Sequence, residues 1–192
     1  MCNAFSYFVT LTLDPSKIDR YDFPTVSHKL KTWLDNNVRR RGLVYILVPE
    51  LHKDGAIHFH GFFNDALPAV DSGTLCSVPG KKKPCRPRSQ NQREEWLAAG
   101  AHVVFNLPRW SLGFSTAIEL YGEYSAAVGY VCKYIGKGSK KIGGRWYLSG
   151  GALQRPVIEL SDDLCCADLV GAGASVLRIQ NTGLEFAQIR TF

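Results

Sequence analysis

His58 and His60 stand two residues apart in an apolar run, Ile57-His58-Phe59-His60-Gly61-Phe62-Phe63. In a strand successive side chains alternate faces, so the two imidazoles share one face and Phe59 takes the other. Imidazoles fill a core poorly, because each ring nitrogen needs a partner once it leaves water. Side by side they suit a divalent metal ion, and Glu50, a few residues upstream, can add a carboxylate oxygen. His52 and Asp54, between Glu50 and the histidines, are the competing third ligands. The plainer alternative is a half-exposed strand that happens to carry two histidines. His-x-His alone does not decide between them.

A second group shifts the balance. Tyr130-Val-Cys-Lys133-Tyr134-Ile-Gly-Lys137 contains Tyr-x-x-Lys twice, offset by four residues. In a helix, positions four apart lie one above the other, so the tyrosines share one face and the lysines a neighbouring one. For a single copy, a half-buried tyrosine and a solvated lysine would be explanation enough. Doubled, and downstream of paired histidines, the pattern points to chemistry. A tyrosine hydroxyl, with pKa ~10, is a weak nucleophile unless its ionisation is driven or its electrophile is polarised. A divalent ion on His58, His60 and Glu50 would polarise a phosphodiester, and a lysine would stabilise the phenolate or the phosphate. The resulting phosphotyrosyl ester conserves the energy of the cut bond, so a second nucleophile can rejoin the strand.

The elements that position these groups are legible in outline. Phe5 to Leu13 reads as a strand, closed by Asp14-Pro15. Pro24 to Arg41 carries Val26, Leu30, Trp33, Leu34 and Val38 at helical spacing. Arg39-Arg40-Arg41 in its last turn and Gly42 beyond it fit a helix end. Leu43 to Pro49 is a strongly apolar strand ending at Glu50, and Lys53-Asp54-Gly55 supplies turn chemistry before a partner strand, Ile57 to Phe63. This hairpin returns the histidines beside Glu50.

Downstream, the region 65–93 carries four prolines and a basic block, and it reads as one long exposed loop. Glu94 to Ala99 suggests a helical turn, His102 to Leu107 a strand, Glu123 to Ile135 a helix and Arg145 to Leu148 a short strand. Val157 to Leu160 looks extended and Asp162 to Leu169 helical. Val176 to Ile179 and Leu184 to Ile189 can pair as a hairpin across Asn181-Thr182-Gly183. Residues 1–156 are expected to form the catalytic domain and 157–192 an appendage packed on it.

Composition sets the class of partner. Hydrophobic residues make up 45% of the 192 and charged residues 21%, enough apolar content for a real core. The net charge of +6 is gathered in blocks, Lys81, Lys82, Lys83, Arg86 and Arg88 in one and Lys133, Lys137, Lys140, Lys141 and Arg145 in another. Such blocks suit a polyanion, and a basic loop near the histidines would serve as a DNA clamp. Six cysteines form no Cys-x-x-Cys pair, which speaks against a structural zinc site. No signal pattern or bilayer-length apolar run is present, so a cytoplasmic protein with reduced thiols is expected.

Taken together, His58-Phe59-His60 preceded by Glu50, the strand Phe8-Val-Thr-Leu-Thr-Leu13 and the doubled Tyr-x-x-Lys resemble the HUH endonuclease superfamily. Within it, the likeness is to rolling-circle replication initiators of the two-tyrosine type, from single-stranded DNA phages or plasmids. That resemblance implies an α+β fold, an antiparallel β-sheet of about five strands with flanking helices, like a ferredoxin or RRM palm. It implies Mn²⁺ or Mg²⁺ on His58, His60 and Glu50, with Tyr130 or Tyr134 as nucleophile assisted by Lys133 and Lys137. Lys81 to Lys83, Arg86, Arg88, Lys140 and Lys141 would bind single-stranded DNA or an origin hairpin. The enzyme would nick an origin in a bacterial host cell, hold the 5′ phosphate on tyrosine, leave a 3′ hydroxyl for a DNA polymerase and later rejoin the strand. The sequence contains no Gly-x-x-x-x-Gly-Lys-Ser/Thr loop, so unwinding would fall to a host helicase. Two rivals stand beside this reading, a single-tyrosine HUH transposase and a non-catalytic protein that binds single strands by charge and stacking.

Overall fold

The computed structural model describes residues 3–120, 127–129, 131–132, 141, 144–154, 175–178 and 185–188. Its centre is three strands that the sequence announces: β1 (Tyr7–Thr12), β2 (Tyr45–Leu51) and β3 (Ile57–Phe63). β3 lies between the other two and pairs antiparallel with both. The β2–β3 turn closes with Gly55 at positive φ, and the Asp54 carboxylate accepts the Ala56 N–H at 3.0 Å.

Four further strands complete an antiparallel seven-stranded sheet, against about five expected. They are β4 (Val70–Cys76), β5 (His102–Asn106), β6 (Ser115–Glu119) and β7 (Leu148–Gly150), in the order β4-β5-β6-β1-β3-β2-β7. The fold is thus α+β, a sheet with flanking helices. The chain divides into two compact units, residues 1–154 and 155–192. In the second, β8 (Ser175–Arg178) and β9 (Glu185–Gln188) pair antiparallel, as the turn at Asn181-Thr182-Gly183 suggests. Residues 157–160 and 162–169, expected to be a strand and a helix, lie outside the described residues.

The two faces of the sheet are built differently. Odd-numbered residues of β1, β2 and β3 meet helix α1 (Phe23–Arg41), whose Val26, Leu30 and Leu34 are buried against Val9, Leu11, Leu47, Phe59 and Phe63. α1 starts at Asp22, whose carboxylate accepts the Thr25 N–H, and ends at Gly42 in the left-handed region after three arginines. Phe59 is fully buried here, and its truncation to alanine would cost about 3–5 kcal/mol. The core side of β3 therefore fixes which way His58 and His60 must point.

Two expectations need correcting. The stretch 65–93 is not one loop, because β4 occupies Val70–Cys76 and helix α2 (Gln90–Ala98) begins within it. What remains is tied down by a bridge between Leu75 and Cys85, whose two hydrogen bonds measure 2.9 and 3.0 Å. β7 also starts at Leu148 rather than ending there. It pairs with β2 from Leu47↔Leu148 to Tyr45↔Gly150, where Gly150 packs so close to the Tyr45 ring that a Cβ would meet it at 2.8 Å, and the aromatic pair Trp146-Tyr147 stays outside the ladder.

Candidate metal centre

Even-numbered residues of the central strands form the second face, in rows set by the register. Glu50 pairs with His58 and His58 with Thr12; Val48 pairs with His60 and His60 with Thr10. The next row holds Ile46, Phe62, Phe8 and Ile118. β7 pairs only with Tyr45–Leu47, so Pro49 and Glu50 lie on a stretch of β2 with no other described strand beside it. A proline is tolerated there.

The convergence is tight. Glu50 Oε2 lies 2.8 Å from His58 Nε2 and 2.8 Å from His60 Nε2. One ligand atom from each of the three residues falls within 4.8 Å of the others, so the group can hold a metal ion. The donor set fits a divalent cation, with two imidazole nitrogens and one carboxylate oxygen. His60 Nδ1 is 3.0 Å from Thr10 Oγ1, and the ring stacks on Phe8 at 6.0 Å and 11°. With His60 ligating through Nε2, its Nδ1–H would donate to Thr10 Oγ1, the outer contact that fixes a ligating ring. His58 Nδ1 is buried with no hydrogen-bond partner among the described residues, which orient its ring by packing and by Glu50.

Both histidines are buried, and that governs their charge. His58 is pushed down to about 4, chiefly by burial, then by the neighbouring His60 and His52; Glu50 pulls the other way. Burial likewise lowers His60, against the opposing pull of Glu50. Although the N···O spacings are those of ion pairs, desolvation wins. The contacts to Glu50 are hydrogen bonds from neutral rings, and neutral imidazole is the form that binds metal. His52, one of the competing ligands, is exposed and its ring centroid lies 3.9 Å from that of His58. Asp54 instead pairs with Arg20 at 3.6 Å.

The other expected residues are placed less closely or not at all. Lys81, Lys82, Lys83, Arg86 and Arg88 are exposed after β4, at the edge of the sheet, with β5, β6 and β1 between them and β3. At ~4.8 Å per strand that is roughly 19 Å from β4 to the histidine strand. Arg86 Nη2 donates to the Ser72 carbonyl oxygen at 3.0 Å. Lys141 is exposed, its Nζ 5.1 Å from the centre of the Trp146 ring. Tyr130, Lys133, Tyr134, Lys137 and Lys140 lie outside the described residues. Their neighbours 127–129 and 131–132 are helical, and Ala127 and Val131 pack with Val48, Phe62, Phe8 and Ile46 on the histidine face. Sequence reasoning missed Thr10 as the partner of His60. Only the β1–β3 register sets it opposite that ring.

An antiparallel sheet presenting two histidines and a glutamate toward one point defines an α+β protein with a candidate divalent-metal centre. The family model for the replication-associated protein ORF2 matches residues 6–139, well over half of the chain, and the protein belongs to that family. No curated protein and no solved structure matches the chain. No helix among the described residues is long and apolar enough to cross a membrane.

Proposed function

We propose that the protein is a metal-dependent, sequence-specific single-stranded DNA endonuclease and strand transferase that initiates rolling-circle replication. The observation that carries this is the convergence of Glu50, His58 and His60 on the sheet face that also packs against Ala127 and Val131. Tyr130 stands three residues beyond Ala127 and Tyr134 three beyond Val131, a spacing that in a continuous helix would give the tyrosines the same face as those two residues. On this reading the tyrosines would be presented to the metal ligands, and membership of a replication-associated family supports DNA as the substrate.

Each residue then has a task. Glu50, His58 and His60 would hold Mn²⁺ or Mg²⁺, which supplies Lewis-acid polarisation of a phosphodiester when bound. Thr10 and Phe8 hold the His60 ring in the ligating orientation. Tyr130 or Tyr134 attacks phosphorus through Oη, forming a new P–O bond as the P–O3′ bond breaks. The phenolic proton passes to water and the 3′ oxygen takes one up, leaving a 3′ hydroxyl for a polymerase. Lys133 and Lys137 stabilise the phenolate and the phosphate as point charges. Attack by a 3′ hydroxyl on the phosphotyrosine reverses the step and reseals the strand.

The test is incubation with mixed single-stranded oligonucleotides and origin-like hairpins in Mn²⁺, with and without chelator, read by denaturing gel and mass spectrometry. A chelator-sensitive adduct on Tyr130 or Tyr134 is expected, lost in Tyr130→Phe/Tyr134→Phe. His58→Ala and His60→Ala should each abolish cutting and keep single-strand binding. Metal-dependent nicking retained in both histidine variants would remove the metal assignment. An adduct surviving the double tyrosine change would remove the nucleophile assignment.

A further inference from the structure

The row that carries His58 and Glu50 continues across β1 to an aromatic side chain that the proposed chemistry does not use. Phe114 is 74% exposed, the most exposed large apolar side chain among the described residues. Its mount is firm. Thr12 donates to the Phe114 carbonyl oxygen through its N–H at 2.8 Å and its hydroxyl at 3.1 Å. The Asp14 N–H donates to the Leu112 carbonyl oxygen at 2.9 Å, and buried Trp110 donates its indole N–H to the Thr12 carbonyl oxygen at 2.9 Å. Between these anchors, Gly113 lies so close to β1 that a Cβ would overlap the Thr12 carbonyl oxygen.

Register places this aromatic relative to the metal ligands. Leu11 pairs with Ser115 and Thr12 with His58, so Phe114, Thr12, His58 and Glu50 form one row across the sheet. Alternation from Thr116 and Ile118 puts Phe114 on the histidine face. Two strand spacings, roughly 10 Å, separate its backbone from that of His58. A ring exposed to water from an anchored backbone, on the face of a candidate phosphodiester site, offers one π-face to whatever the phosphate is attached to.

We infer that Phe114 is a stacking platform for a nucleobase of the strand whose phosphate sits at Glu50, His58 and His60. The inference rests on the single-stranded DNA reading given above and adds the subsite that orients the strand. Single-strand binders combine positive charge with aromatic side chains on which bases stack, and stacking tolerates any base because every base has a π-face. The net charge of +6 supplies the first element and Phe114 the second, in line with the metal ligands. Origin sequence would therefore be read elsewhere, and Phe114 would set strand position.

The experiment is fluorescence anisotropy with short fluorescein-labelled single-stranded oligonucleotides of mixed sequence, in EDTA so that nothing is cut, for wild type, Phe114→Ala and Phe114→Trp. Nicking in Mn²⁺ is assayed in parallel. Phe114→Ala should bind between about fivefold and about a hundredfold more weakly. Phe114→Trp should bind at least as well as wild type, with tryptophan emission beyond the wild-type signal that the oligonucleotide quenches. Equal affinity for Phe114→Ala, and no added quenching in Phe114→Trp, would overturn the platform while a nicking wild type leaves the nuclease reading standing. A wild type that neither binds nor cuts would overturn both. Equal affinity with a change in sedimentation of Phe114→Ala would overturn the platform too, and would assign the ring to contact with a second copy of the chain.

Discussion

Thr10 Oγ1 lies 3.0 Å from His60 Nδ1, while Nε2 of the same ring lies 2.8 Å from Glu50. The two nitrogens of one imidazole are thus held from opposite sides, by β1 and by β2. Without metal, Nε2–H donates to the carboxylate and Nδ1 accepts from the hydroxyl; with Nε2 ligating, the hydroxyl becomes the acceptor. A threonine hydroxyl can play either part by rotating.

Thr10→Val keeps the side-chain shape and removes that adaptable partner. Mn²⁺ affinity measured by titration calorimetry should fall about tenfold to a hundredfold, with an unchanged far-ultraviolet circular dichroism spectrum. Thr10→Ser should restore most of it. Wild-type affinity in Thr10→Val would mean that stacking on Phe8 alone orients the ring.

Gly61 sits between His60 and Phe62, paired with Val9 on one side and Leu47 on the other. A Cβ at this position would overlap the backbone carbonyl of Ile46. The obstacle is main chain, so Gly61→Ala must push β2 away from β3. We expect a loss of about 1–3 kcal/mol in denaturant unfolding. Metal affinity should also fall, because Glu50 rides on β2 and the histidines on β3. A variant as stable as wild type would show that the strand pair has slack the structure does not suggest.

The metal face was legible because its signals are local. Alternation fixes the shared face of His58 and His60, and Asp54-Gly55 fixes the hairpin that returns them to Glu50. β4 gives no such signal: Val-Asp-Ser-Gly-Thr-Leu-Cys lacks alternation, and a register shift between Asp71 and Thr74 encloses Gly73 at positive φ. Its place comes from long-range pairing with β5. β6 is similar, a short Ser-Thr-Ala-Ile-Glu held between β1 and β5. Phe114 escaped notice for the same reason, since only the β1–β6 register aligns it with His58. Tyr130 and Tyr134 remain a matter of spacing.

The Asp22 cap gives α1 a pH signature. Hydrogen bonds from Thr25 stabilise the ionised carboxylate and hold its pKa below the usual 3.8. The unfolded chain therefore takes up a proton first as pH falls. The cap's contribution is complete above the unfolded value and is lost as pH drops through the folded one. Asp22→Asn can still accept the N–H but does not titrate. The stability gap between wild type and Asp22→Asn, from urea melts, should be flat above about pH 5 and shift against wild type toward about pH 3. A gap that stays constant to the acid limit would show that the carboxylate is not the capping group in solution.

Lys81, Lys82 and Lys83 test how far the DNA-binding surface extends from the metal ligands. They are exposed beyond β4, several strands from β3, and their side chains support no part of the core. If all three touch phosphates, each contact on a single strand contributes about 0.7 to the slope of log K against log salt. Changing the three to glutamine should therefore lessen that slope by about 2, read from anisotropy titrations across a salt series. Metal affinity should not move, because the block follows β4, whose strand lies roughly 19 Å from the histidine strand, beyond a Debye length at physiological salt. An unchanged slope would confine the DNA path to the β1–β2–β3 side of the sheet. An altered metal affinity would mean instead that the lysines act on the site itself, which the strand order argues against.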